Sequence, residues 1–66
     1  MRITVNGEDR TVPPGTTVGS VVDSLRSERR GLAAALNEEV VPRSRWDDVT
    51  VSEGDRIEVL TAAQGG

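Results

Sequence analysis

The sequence predicts an α+β domain, a mixed four- to five-stranded sheet packed on one helix. Three observations lead there. Short stretches that alternate apolar and polar residues flank a single stretch with helical periodicity. Their order is strand, strand, helix, strand, short strand, irregular turn, strand. One helix can cover only one face of a sheet, so the strands must share a sheet that wraps around it. With 66 residues there is room for one domain only.

Met1, Ile3 and Val5 alternate with Arg2, Thr4 and Asn6, which gives a half-buried first strand. Asn6-Gly7 follows as a hairpin signal, because both central positions of a type I′ turn need positive φ. Arg10 to Val12 returns as the second strand, and Pro13-Pro14-Gly15 ends it. Thr17 is placed to cap a helix whose apolar stripe is Val18, Val21, Val22 and Leu25. Gly31 is expected to stop that helix as a left-handed C′ residue. Arg26, Arg29 and Arg30 then fall in its last turns, where cations complement the helix dipole and stay solvated.

Leu32 to Asn37 reads as a strand, with Leu32, Ala34 and Leu36 on one face and alanines small enough for close approach to the helix. Asn37 opens a turn, and Val40-Val41 begins a short return strand closed by Pro42. Ser44-Arg45-Trp46-Asp47 has the form of a capping box for one helical or 3₁₀ turn. Arg56 to Thr61 is the final strand, with Ile57 and Val59 on its inner face. The first and last strands are expected side by side at the centre, which is the β-grasp, or ubiquitin-like, layout. Residues 1–61 form this domain, and 62–66 read as a flexible tail ending in Gly-Gly.

Composition excludes most chemistry. A chain this short buries only about 60% of its unfolded surface, so a self-contained enzyme with a deep cavity is not expected. The chain has no Cys and no His, and its eight basic residues are all Arg. Disulfides, thiolate zinc sites, cysteine nucleophiles, P-loops and Schiff bases are thereby ruled out. The net charge of −3 argues against nucleic acid. No apolar run suits a membrane span and no signal peptide precedes the first strand, so a cytoplasmic protein is expected. The acids at Glu38-Glu39, Asp47-Asp48 and Glu53/Asp55 fall in turns without metal-loop spacing and read as solvated. No bound metal or cofactor is expected. Trp46, the one aromatic residue, reads as a cap on the edge of the core.

One reactive group remains, the carboxylate of Gly66. Gly65-Gly66 puts it on a thread without Cβ atoms, able to enter a narrow channel in another protein. With Asn37-Glu38-Glu39-Val40-Val41-Pro42-Arg43, Trp46 and Glu53-Gly54-Asp55-Arg56-Ile57, this diglycine resembles the ThiS family of sulfur carriers in thiamine biosynthesis. The resemblance covers essentially the whole chain. The Val-Pro-Arg…Trp stretch is its more specific element, since Gly-Gly is shared with ubiquitin and the small subunit of molybdopterin synthase. Glu38 departs from the pattern, because relatives often have Gly there. Gln64 departs too, standing where a small residue would suit a threaded tail.

The resemblance implies a protein co-substrate rather than an enzyme. A partner adenylating enzyme would use ATP and Mg²⁺ to convert the Gly66 carboxylate to an acyl-adenylate. A cysteine-desulfurase persulfide would supply sulfur, and thiazole synthase would take it from the resulting thiocarboxylate. Ala62, Ala63, Gln64 and Gly65 would thread into the partner. Alternation adds a docking surface: Leu60, Ala33 and Ala35 should face outward as a small apolar patch on the open sheet face. The free protein is expected to be a monomer. A carrier for another sulfur pathway, such as molybdopterin, and a ubiquitin-like protein modifier are the alternatives.

Overall fold

The computed structural model describes residues 1–61. Five strands form one mixed sheet in the order β2-β1-β5-β3-β4. They are β1 (Arg2–Val5), β2 (Glu8–Thr11), β3 (Leu32–Leu36), β4 (Glu39–Val41) and β5 (Arg56–Thr61), with the helix α1 (Val18–Leu25) after β2. The chain thus has the β-grasp fold anticipated from its pattern. β1 and β5 are parallel neighbours, with Thr4 opposite Arg56 and Val5 opposite Ile57. β5 also pairs antiparallel with β3, from Leu36 opposite Ile57 to Leu32 opposite Thr61. It is therefore the central strand, held on both sides.

The inner face of the sheet and the apolar stripe of α1 make the core: Ile3, Val5, Leu32, Ala34, Val41, Ile57 and Val59 from strands, with Val18, Val21 and Val22 from the helix. Trp46 is not at the edge of this core, as its isolation in the sequence suggested, but inside it at 1% exposure. Its indole Nε1–H donates to the Val41 carbonyl at 2.8 Å, so the one polar atom it buries is satisfied. A valine-rich core leaves a volume that one large ring fills.

The helix start lies as expected at Thr17, whose Oγ1 accepts from the Ser20 N–H at 3.0 Å. Tertiary contacts complete the cap. The N–H groups of Val18 and Gly19 donate to the carbonyls of Val49 and Trp46, each at 2.9 Å. The first four helical donors all have partners, because Val21 N–H reaches the Thr17 carbonyl.

The helix end differs from expectation. It stops at Leu25, and Arg26 is already extended at φ −140°, ψ 148°. Arg26, Arg29 and Arg30 therefore do not lie in its last turns. The stripe positions after Leu25 would be Glu28 and Arg29, which have nothing to bury, so continued helix gains no core contact. Gly31 does take positive φ, 76°, but as part of the turn into β3. The 3₁₀ turn also forms, over Arg43–Arg45, yet no side chain caps it and the capping box is absent. The Asp47 carboxylate that would have closed the neighbourhood is bound to Arg29 instead.

Candidate functional site: the open sheet face and the end of β5

Strand alternation leaves one sheet face uncovered by α1. On β5, Ile57 and Val59 point into the core while Arg56, Glu58 and Leu60 point out. Leu60 is 63% exposed and lies directly opposite Ala33. Ala35 sits two residues further along β3, between Glu58 of β5 and Val40 of β4. Val40 is 78% exposed. The three residues expected to form an outward patch are thus brought together, and Val40 extends it diagonally across β4. Val40 was not anticipated, although the signal was present: once Val41 is assigned to the core, its neighbour must face the other way. The far half of the same face is polar, with Arg2 on β1 paired to Asp9 on β2 at 3.3 Å.

Two side-chain amides hold β5 at its ends. Asn6 follows β1 directly, and its backbone N–H donates to the Ile57 carbonyl at 2.9 Å. Its Oδ1 then accepts from Val59 N–H at 2.8 Å while its Nδ2 donates to the Val59 carbonyl at 3.2 Å. At the start of the strand, Asn37 Oδ1 accepts from Arg56 N–H at 2.9 Å and Nδ2 donates to Asp55 Oδ1 at 3.1 Å. Asn6 lines a groove of about 250 Å³ with Leu25, Arg26, Leu32, Leu60 and Thr61, at the point where β5 ends.

The turn acids are structural rather than idle. Asp55 Oδ2 accepts from Ser52 N–H at 2.7 Å, and Glu53 Oε1 accepts from Arg2 N–H at 2.9 Å. Arg29 folds back beneath the helix to bind both Asp23 and Asp47, with contacts from 2.8 to 3.1 Å. Its guanidinium also lies 5.7 Å from the Trp46 ring centre. A Cβ on Gly19 would overlap both the Asp47 carboxylate and this guanidinium, so glycine there makes room for the clamp. Hydrogen bonds from Arg29 hold the Asp23 and Asp47 carboxyls below the usual carboxylate range. The same bonds hold the Arg29 guanidinium still more firmly protonated than usual. Among the described residues no three carboxylates gather to hold a metal ion, and no helix is long and apolar enough to cross a membrane.

Ala62, Ala63, Gln64, Gly65 and Gly66, expected to thread into a partner and to carry the reactive group, lie outside the described residues. Their point of departure does not: Thr61 closes the central strand beside Leu60.

A mixed sheet with parallel first and last strands, grasping one helix and leading from its central strand toward a diglycine, defines a ubiquitin-like β-grasp protein. Comparison narrows the class. The sequence model of the ThiS family matches residues 3–66. The sulfur carrier protein ThiS of Escherichia coli is 32% identical over 66 residues, all of both chains. That of Thermus thermophilus is 36% identical over 62 residues, 94% of this chain and 95% of that protein. The crystal structure of the thiamine biosynthesis protein ThiS from Geobacter metallireducens superposes with a TM-score of 0.82 at 33% identity, covering all of both chains. A thiazole synthase of Paramagnetospirillum magneticum is 33% identical over 66 residues, but this chain spans only 20% of its length. The chain belongs to the ThiS family, whose members are small sulfur carriers.

Proposed function

We propose that this chain carries sulfur for the thiazole ring of thiamine as a thiocarboxylate on Gly66. The observation that carries this reading is the course of β5. The strand is anchored in the core at Ile57 and Val59, presents Leu60 on the open face, and leads within five residues to Gly65-Gly66. With no Cys and no Lys, the chain has neither a side-chain thiol nor a side-chain amine to carry an acyl or sulfur group, and the terminal carboxylate is left.

The partner adenylating enzyme supplies the chemistry that the domain lacks. A carboxylate is a poor acyl donor until its oxygen is turned into a leaving group. Attack by the Gly66 carboxylate on the α-phosphorus of Mg²⁺-bound ATP gives the acyl-adenylate and releases pyrophosphate. The terminal sulfur of a cysteine-desulfurase persulfide then displaces AMP, and cleavage of the S–S bond by a thiol frees the thiocarboxylate. Thiazole synthase is the acceptor, a role supported by the protein of that name that contains a segment similar to this chain. Leu60, Ala33, Ala35 and Val40 dock the partner, with Ala62, Ala63, Gln64 and Gly65 as the thread.

Intact mass tests the reading directly. After incubation with the adenylating enzyme of the same organism, ATP, Mg²⁺, cysteine and a cysteine desulfurase, the chain should gain the mass of one oxygen-to-sulfur exchange, localised to Gly66. Removing Gly65 and Gly66 should abolish it. Amide conjugates to target lysines in place of the thiocarboxylate would assign the chain to the protein modifiers. Leu60→Asp should raise KM for adenylation about tenfold, the effect of losing about 1.4 kcal/mol of docking energy. Its circular dichroism should be unchanged, because Leu60 stands outside the core.

A further inference from the structure

We propose that Asn6 is a positioning residue for the acyl terminus: its side-chain amide stands in for the missing end of β1 and fixes where β5 hands over to the C-terminal residues. The inference rests on the carrier reading above.

β1 ends at Val5, whereas β5 runs on from Ile57, its partner across the ladder, to Thr61. Beyond Ile57 the β1 side of the strand would therefore be bare. Asn6 fills that position without extending β1. In its left-handed conformation, φ 49°, the backbone has already left the sheet for the turn to β2. The side-chain amide, a planar group with one acceptor and two donors, then pairs with both backbone groups of Val59 as a peptide of a neighbouring strand would. Asparagine is the fitting residue, since it tolerates the left-handed region and carries a peptide-like amide on a short stem.

The position of this clamp matters more than its strength. Val59 is the last residue of β5 whose side chain is buried. Backbone groups that face the β1 side recur every second residue, so the next ones belong to Thr61, past the reach of Asn6. Among the described residues the amide is thus the last side-chain anchor on that side of β5. On the other side the last pair is Leu32 with Thr61. Releasing Val59 would let the end of β5 swing about its β3 contacts, displacing the terminus while leaving Leu60, Ala33, Ala35 and Val40 on their sheet face. A partner would still dock, but the carboxylate would arrive off line. Misplacement by about 1 Å can cost up to about 100-fold in rate.

The fold supplies its own control. Asn37 occupies the same place in the second hairpin turn, also left-handed at φ 51°, and its amide grips the beginning of β5. Glycine suits both positions, so Asn6→Gly and Asn37→Gly each delete an amide without straining a turn. With the full chain, the same adenylating enzyme and ATP, pyrophosphate release should show kcat reduced about tenfold or more in Asn6→Gly, with KM within about twofold of the parent. Asn37→Gly should keep both constants within about twofold. Asn6→Asp retains the acceptor for Val59 N–H and loses the donor, and its kcat should fall between the parent and Asn6→Gly. Equal kcat losses in the two glycine variants, or none in Asn6→Gly, would overturn the assignment. If the parent chain itself is never adenylated, the carrier reading falls and takes this one with it.

Discussion

The two hairpin turns of this domain are built alike and used differently. Each joins its strands through two residues of positive φ, Asn6-Gly7 at 49° and 83° and Asn37-Glu38 at 51° and 73°. In each, the leading asparagine reaches across to the backbone of β5. Asn37 grips the exposed entrance of that strand, and Asn6 the backbone of Val59, its last residue with a buried side chain. The second positions differ in fitness. Glycine at position 7 adopts its conformation freely, whereas Glu38 holds a side chain in a region that disfavours one. The turn at the entrance tolerates a strained residue, and its exposed Arg56–Glu38 pair at 4.0 Å offsets little of the cost. The same local chemistry thus acquires a stabilising task in one place and, in our reading, a functional one in the other.

The largest stability difference should come from truncating the asparagines. Asn6→Ala loses two hydrogen bonds to the backbone of buried Val59 and forces alanine into the left-handed region, costing about 3 kcal/mol in urea denaturation. Asn37→Ala should cost about 2 kcal/mol, because water can replace its contacts at exposed Arg56 and Asp55. Equal losses would remove burial from the comparison. A smaller effect of opposite sign separates the second positions. Gly7→Ala should destabilise by about 0.5–1 kcal/mol, and Glu38→Gly should stabilise by a similar amount. No atom outside the turn lies within 4 Å of where a Cβ on Gly7 would stand, so backbone strain alone is measured there.

Acid should have the smallest effect, and on neither amide. Asp23 and Asp47 have carboxyl pKa values held below the ordinary 3.8 by Arg29. A carboxyl depressed by folding contributes stability that is present above its unfolded pKa and lost as pH falls through the lower folded value. The melting temperature should therefore decline below about pH 4, and Arg29→Ala should flatten part of that decline. These are exposed pairs, so the slope is expected to be shallow and to shrink further in salt.

Much of the site was legible in the chain alone. Period-two alternation placed Leu60 and Ala33 on one face, and the register then set them directly opposite each other. Asn6-Gly7 announced its turn through φ preferences alone. The second turn was harder to read, because Glu38 takes a positive φ of 73° that its side chain disfavours. The helix end was misread for a related reason. Propensity rules place a stop at Gly31, but the stripe runs out at Leu25, and Arg29 folds back to Asp23 in the helix and to Asp47, 18 residues on. The Asn6–Val59 clamp joins residues 53 apart, and no local pattern encodes such a pair.

What the sequence determined by itself is whatever depends on near neighbours: strand alternation, the helical stripe, the first hairpin turn, and an inventory without a side-chain thiol or amine. Tertiary structure alone decided that Trp46 fills the core, that the helix ends early, and that an asparagine beside the first turn closes the ladder at the end of the last strand. These outcomes depend on which distant groups the packed sheet brings within hydrogen-bond reach. Local propensity is too weak to compete with such contacts.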